Sequence, residues 1–165
     1  MWRLGESEEN ILVPQANLAS AYANIGRYEE ALPLMRDVSS GYVKLLGEDH
    51  VNSLLATNNY ARCLYDLRRF EEAKALLRKL MPVARRVLGD SHETTLKMRW
   101  IYARALILDD ATTLDDLLEA ASTLEDTDRI ARRVLGGAHP TAVAIEKALR
   151  VAQQLRQVAL RTSLR

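Results

Sequence analysis

Apolar residues recur at intervals of three and four along most of this chain, which is the spacing of one face of an α-helix. No stretch alternates between apolar and polar residues with the period of two that marks a β-strand. The pattern therefore predicts an all-α protein. The clearest stripe is Phe70, Ala73, Leu77, Leu80, Ala84 and Val87, and a later copy is Leu117, Ala120, Leu124, Ala131 and Val134.

The helical pattern repeats with a period of 42 residues. Ala16–Leu34 aligns with Asn58–Leu76, and a third copy begins at Trp100. Five residues are then inserted around Asp109–Thr113, after which the alignment resumes. Periods of this size indicate stacked units, each a pair of helices.

The repeats predict that residues 1–165 form a single domain. Three repeats are expected at about 7–47, 48–89 and 90–136, after a partial unit at 1–6 and before a last helix at about 140–161. The partial unit is predicted because Leu4 and Gly5 align with Leu46 and Gly47, at the end of a second helix. Arg150 replaces the alanine that first helices carry, so the last helix is predicted to cap the stack with a face in water.

Small residues recur where the two helices of a pair must cross closely. A bulky side chain at these positions would push the helix axes apart and open a void. We therefore predict that all of them are buried: Ala19, Ala61 and Ala103 on first helices, and Ala31, Ala73 and Ala120 on second helices.

A glycine followed three residues later by a histidine closes each repeat, in the segments LGEDH, LGDSH and LGGAH. We expect the glycine to end the second helix in a left-handed conformation. Asp49 or Ser91 can then accept backbone N–H groups at the start of the next helix, and the histidine lies in its first turn. A metal or catalytic role is the alternative, but histidines one repeat apart should be separated by roughly 10 Å. Thr113 and Asp116 predict a capping box at the second helix of the third repeat.

Charge and composition exclude several classes of function. The net charge of +1 argues against a general nucleic-acid binder. No apolar run is long enough to cross a membrane, and the first residues lack a secretory signal. The single cysteine, Cys63, suits a reducing compartment and favours a cytoplasmic location. It is expected to be a packed thiol rather than a reactive one.

No arrangement of residues typical of an enzyme is present. The sequence has no glycine-rich phosphate loop, nucleophile elbow or paired histidine ligands. Adjacent carboxylates such as Glu29 and Glu30 fall at the starts of second helices, where they favour the helix dipole. We predict a non-catalytic protein without a metal or cofactor.

These patterns resemble the tetratricopeptide repeat in its 42-residue form, typical of kinesin light chain. The resemblance lies in NLASAYANIGRYEEA (Asn17–Ala31), in NNYA (Asn58–Ala61) and in LGEDH, which family members follow with proline; here Pro140 matches, but Val51 and Glu93 do not. It implies an α-solenoid of antiparallel helix pairs in a right-handed superhelix. Its concave groove, lined by first helices, would serve protein–protein interaction.

Within the expected groove, the inward positions carry cations and aromatic rings. Such a groove suits a short acidic peptide, and kinesin light chains are similar in binding acidic segments around a tryptophan. By that resemblance Asn58, Arg62 and Arg104 are the best contacts. The full predicted site is Asn58, Arg62, Tyr65, Lys97, Trp100, Arg104 and Lys147.

The alternative function is an assembly or regulatory module with no peptide in the groove. The first helix has an apolar surface that includes Ile11, Leu12, Leu18 and Tyr22. Another copy of the chain or another protein could bury it, which would give a homo-oligomer through the repeat ends.

Overall fold

The protein is seen here in a computed structural model that describes residues 4–163. Over that range the chain forms seven α-helices and no strand, which confirms the predicted all-α fold. The helices are α1 (Leu4–Asn24), α2 (Tyr28–Leu46), α3 (Val51–Asp66), α4 (Phe70–Val87), α5 (Glu93–Leu108), α6 (Leu114–Leu135) and α7 (Pro140–Ser163).

The chain divides into two compact units, Met1–Val87 and Leu88–Arg165. In the first unit, α2 packs against both α1 and α3, and α4 packs against α3. In the second unit, α6 packs against both α5 and α7, and α5 also contacts α7. Helix pairs α1–α2, α3–α4 and α5–α6 correspond to the three predicted repeats, and α7 to the predicted cap helix.

Alanines at the helix crossings are buried as predicted. Five of the six have no exposed surface and the sixth, Ala19, is 1% exposed. Ala19 and Ala31 share one core cluster with Met35 and Cys63. The six positions are therefore closed to larger side chains.

Each Gly-x-x-His segment forms the same junction between helices. Gly47 and Gly136 have φ of +87° and +86°, and their backbone N–H groups still bond to the helix that they end. Their ψ angles of 165° and 150° correct one expectation, because a left-handed cap would have ψ near about 50°. This combination of positive φ and extended ψ is open almost only to glycine.

The histidines of these junctions are themselves the helix caps, which corrects a second expectation. His50 and His92 occupy the N-cap positions of α3 and α5, rather than the first turn. The Nδ1 atom of each accepts the backbone N–H two residues later at 3.2 Å, and His139 does the same at the start of α7. Asp49 instead pairs with Arg86 at 2.5 Å.

The insertion in the third repeat is an ordered turn. Thr112 donates its hydroxyl to the carbonyl of Leu106 at 2.6 Å, and Asp109 accepts the N–H of Ala111 at 3.0 Å. The predicted capping box of Thr113 and Asp116 is present at the start of α6.

At the two ends of the chain the structure differs from the predicted boundaries by a few residues. Helix α1 begins at Leu4 and continues without a break, so Leu4 and Gly5 lie inside it rather than at the end of a preceding helix. Residues 1–3 of the predicted partial unit lie outside the described range. Arg150 is exposed on α7 and pairs with Glu146.

Candidate functional site

A groove between α5 and α7 brings three of the predicted site residues together. Trp100 and Arg104 of α5 and Lys147 of α7 line it, and its volume is about 370 Å³. The rest of the lining is apolar: Ile107 and Leu108 from α5, and Ala144, Ala148 and Val151 from α7. The groove is thus an apolar trough that carries an aromatic ring and two cations.

Trp100 and Arg104 are stacked in this groove. The Arg104 guanidinium lies over the indole, 5.2 Å from the ring centre, which is within cation–π range. These two residues are four apart, so one helical turn places them side by side on the same face. The buried Nε1 of Trp100 has no hydrogen-bond partner in the part of the chain that the structure describes. An indole N–H in this state is an unused donor.

Positive charge in the groove comes from Arg104 and Lys147. No carboxylate belongs to the described residues that line it. Lys97, one turn before Trp100, does not line the groove; its Nζ pairs with Glu93 at 2.8 Å. The hydrogen bonds from Lys97 and Thr141 lower the pKa of Glu93, so this carboxylate stays charged and neutralises Lys97.

A second groove lies between α1 and α3 in the first unit. It consists of two adjoining cavities of about 190 and 140 Å³, which share Ser20, Met35 and Asn59. Arg62 lines the smaller cavity, as predicted, but Asp66 lines it too and lies 3.6 Å from the guanidinium. Asp66 therefore lowers the net charge that Arg62 brings to this groove.

Asn58 and Tyr65 do not line the α1–α3 groove. Asn58 is 8% exposed, and its Oδ1 has no hydrogen-bond partner among the described residues. Tyr65 is half-buried, with its ring 5.7 Å from that of Phe70. The residues of α3 that do line the groove are Asn52, Leu55, Asn59, Arg62 and Asp66, together with Ala56 and Cys63.

Sequence reasoning missed Asn52, Asn59 and Asp66. The signal was available, because residues 52, 55, 59, 62 and 66 follow the three-and-four spacing of one helix face. The prediction used positions 55, 58, 62 and 65. Positions 55 and 62 line the groove, but 58 and 65 each lie one residue before the lining positions 59 and 66. On α5 and α7 the predicted residues Trp100, Arg104 and Lys147 line one groove, whereas Lys97 does not.

Neither groove holds the groups that a metal site needs. Among the described residues no three His, Cys, Asp or Glu side chains are close enough to bind one ion. The three histidines serve as helix caps, as described above. No described helix combines the length and the apolar character that crossing a bilayer requires.

The sequence and the fold are both similar to those of known repeat proteins. Residues 8–86 match the tetratricopeptide repeat family. A putative kinesin light chain from Podosopora anserina with nearly identical TPR-like repeats is 25% identical; the match covers 92% of this chain and 69% of that one, with a TM-score of 0.76. None of the curated proteins matches the sequence.

Two further solved structures share the fold. A single-residue variant of the Podosopora anserina protein is 22% identical over 91% of this chain and 90% of that chain, with a TM-score of 0.53. BtubC (BKLC) from P. vanneervenii is 15% identical over 92% of this chain and 65% of that chain, with a TM-score of 0.51.

Proposed function

We propose that this chain is a tetratricopeptide repeat protein of the kinesin light chain-like type and serves as an interaction scaffold that binds a short acidic peptide. The match of residues 8–86 to that repeat family and the similarity to a putative kinesin light chain support the proposal. The peptide lies in the groove between α5 and α7. One observation carries the proposal: this groove combines Trp100, Arg104 and Lys147 on an apolar floor without a carboxylate.

The groove offers a peptide two kinds of contact. Ile107, Ala144 and Val151 provide apolar surface for one large side chain, and Trp100 adds an aromatic face beside it. An apolar anchor buried in a pocket supplies most of the binding energy of many interfaces. Carboxylates on either side of the anchor would face Arg104 and Lys147, which gives orientation and faster association.

We propose a third contact from the buried Nε1–H of Trp100, which the peptide reaches when the side chains around the indole move aside. A buried donor without a partner costs roughly 1–3 kcal/mol, and a peptide carbonyl that accepts its hydrogen bond would recover that free energy. The groove is short, with space for about four to six extended residues at ~3.3 Å each. We expect micromolar affinity.

Arg62 and the α1–α3 groove play the lesser part in this proposal. Asp66 partly neutralises Arg62, and Lys97 is held by Glu93. The proposed cationic contacts are therefore Arg104 and Lys147, which line the apolar groove. Asn58 is buried and Tyr65 lines neither groove, so neither is a primary contact.

Charge reversal in the groove tests the proposal. The probe is a fluorescein-labelled acidic peptide with one central tryptophan, followed by fluorescence anisotropy. We expect Arg104→Glu with Lys147→Glu to weaken binding at least about tenfold, or ~1.4 kcal/mol. The matched control, Arg133→Glu with Arg161→Glu, changes the same number of exposed charges outside the groove and should leave affinity unchanged.

Circular dichroism would confirm that both double variants keep their helices. Equal affinities for the wild-type protein and the groove variant would contradict the proposal. An equal loss in the control would also contradict it, because binding would then depend on overall charge. Raising the salt concentration should weaken wild-type binding more than binding by the groove variant.

Catalysis and localisation complete the proposal. Repeat proteins of this type are typically non-catalytic scaffolds, and we propose the same role here, without cofactor, nucleic acid or membrane. A cytoplasmic location rests on Cys63, a free and buried thiol of the kind that persists in reducing compartments.

A further inference from the structure

The two walls of the α5–α7 groove differ in the size of their side chains. The wall from α5 carries large residues at three-and-four spacing: Trp100, Arg104 and Ile107. The wall from α7 carries small residues at the same spacing: Ala144, Ala148 and Val151. Because a methyl group projects less far from a helix than a longer side chain, the open space of this groove lies toward α7.

In the α1–α3 groove the large and the small wall are exchanged. The α1 positions that correspond to the large wall of α5 hold small residues: Ala16, Ser20 and Ala23. The α3 positions that correspond to the small wall of α7 hold larger residues: Leu55, Asn59 and Arg62. The cap histidines fix this correspondence, since Leu55 and Ala144 are each the fifth residue after the histidine that begins their helix.

The exchange of walls accompanies a difference in continuous space. The α5–α7 groove is one cavity of about 370 Å³, whereas the α1–α3 groove is divided into cavities of about 190 and 140 Å³. The branched side chain of Leu55 occupies the position at which Ala144 presents only a methyl group. The chain therefore leaves room for a large guest side chain in the α5–α7 groove.

Ala144 is the residue of the small wall that a guest meets first. Ala148 is 8% exposed and is part of the helix packing, whereas Ala144 is partly exposed and borders both the cavity and the solvent. A longer side chain at position 144 would project into the cavity, where it would compete with a guest for the same space.

From the exchanged walls we infer that Ala144 determines the size of the anchor side chain that the α5–α7 groove accepts. The inference rests on the proposed function and states which acidic peptides the groove selects: those whose central residue is a large aromatic or branched aliphatic one. Such an anchor packs between the indole of Trp100 and the methyl group of Ala144. A small central residue leaves that space unfilled and buries less apolar surface.

Three labelled acidic peptides that differ only in a central Trp, Leu or Ala test the inference by fluorescence anisotropy. We expect the wild-type protein to bind the Trp peptide at least about tenfold more tightly than the Ala peptide. Ala144→Leu introduces the residue that α3 carries at this position, and it should reduce the ratio of the two affinities to below about twofold. The loss should fall on the Trp peptide, and the ratio is independent of the fraction of protein that is folded.

Two further variants separate size from other effects. Ala159→Leu makes the same change at a partly exposed position of α7 outside the groove lining, and it should keep the wild-type ratio. Ala144→Ser changes the polarity of the position but hardly its size, so most of the preference for Trp should remain. Circular dichroism would establish that all three variants keep the helical signal of the wild-type protein.

The outcomes distinguish this inference from the proposed function. If the wild-type protein binds none of the three peptides, the proposed function is wrong and the inference falls with it. If Arg104→Glu with Lys147→Glu weakens binding but Ala144→Leu keeps the preference for Trp, the groove binds peptide and the inference about Ala144 is wrong. Equal wild-type affinities for the three peptides, or a lost preference in Ala159→Leu, would also overturn the inference.

Discussion

The guanidinium of Arg104 lies 5.2 Å from the centre of the Trp100 ring, at the side of the apolar groove between α5 and α7. The stack holds the cation beside the apolar floor while leaving the indole N–H without a partner among the described residues. A ligand that neutralises Arg104 and accepts from Trp100 would use both features.

This arrangement separates two contributions of Trp100. We expect Trp100→Phe to keep the aromatic face but lose the N–H donor, and to weaken binding of an acidic peptide by about threefold to tenfold. Trp100→Ala should weaken it further because the apolar surface is lost as well. Isothermal titration calorimetry measures both. Equal affinity of Trp100→Phe and the wild-type protein would show that the indole N–H does not contribute to peptide binding.

Comparison of the adjacent glycines Gly136 and Gly137 tests the effect of backbone strain on stability, because only Gly136 of the two has a positive φ. Gly136 has a φ of +86°, and no atom would crowd a Cβ added there. We expect Gly136→Ala to reduce the free energy of unfolding by about 1–3 kcal/mol through conformation alone. For Gly137→Ala, whose nearest neighbour is Arg132 at 3.5 Å, the change should be below about 0.5 kcal/mol. Urea unfolding measures the difference, and similar values for both would contradict it.

Overpacking tests the alanine crossings. Ala103 has no exposed surface between the helices of its pair, so Ala103→Leu should cost about 1–3 kcal/mol of stability. Ala75→Leu, on the exposed face of α4, is the control and should change stability little. Thermal unfolding followed by circular dichroism compares the two. If Ala103→Leu left stability unchanged, the helix crossing would have space for the larger side chain.

The capping role of His92 predicts that stability falls in the order wild type, His92→Asn, His92→Ala. His92→Ala removes the side chain that accepts the N–H of Thr94, and should cost about 1 kcal/mol. Asn and Asp are good cap residues, so His92→Asn should recover most of that loss. Chemical denaturation gives the three stabilities. Equal losses for Ala and Asn would show that hydrogen bonding at the cap is not what His92 contributes.

The buried thiol of Cys63 should react slowly with a disulfide reagent and should make the stability of the protein depend on pH. Burial raises its pKa to about 11, with a smaller contribution from the charges of Asp66 and Glu29. Its reaction with a disulfide reagent at a pH of about 8 should therefore be much slower in the folded protein than in urea.

The same shift links the thiol to stability. Since the folded-state pKa exceeds the unfolded value of about 8.5, the folded protein holds the proton more tightly. This contribution is complete below a pH of about 8.5 and is lost as the pH rises toward about 11. Cys63→Ala should flatten that part of the stability profile, and an unchanged slope would contradict the assignment.

Much of the architecture could be predicted from the sequence because helical periodicity and the 42-residue repeat act locally. The alanine crossings and the capping box of Thr113 and Asp116 followed directly from such patterns. The junctions were harder. A glycine with positive φ could be expected, but whether His50 or Asp49 caps the next helix depends on how the chain leaves Gly47, which no residue type specifies.

The site residues depended on helix register. On α5 and α7 the predicted residues Trp100, Arg104 and Lys147 line one groove, but Lys97 does not. On α3 a shift of one residue replaced Asn59 and Asp66 by Asn58 and Tyr65. Charge neutralisation could have been predicted from the sequence. Glu93 lies four residues before Lys97 and Asp66 four residues after Arg62, which places each pair side by side on its helix.

The glycine–histidine junction, used three times, encodes a change of direction in only four residues. Each copy contains the glycine that follows one helix and the histidine that caps the next, and the hydrogen bonds of the corner join residues two to four positions apart. A gene for such a chain can gain or lose a whole repeat at these points while every remaining corner still folds. The length of the array can therefore evolve independently of the ligand that any one groove selects.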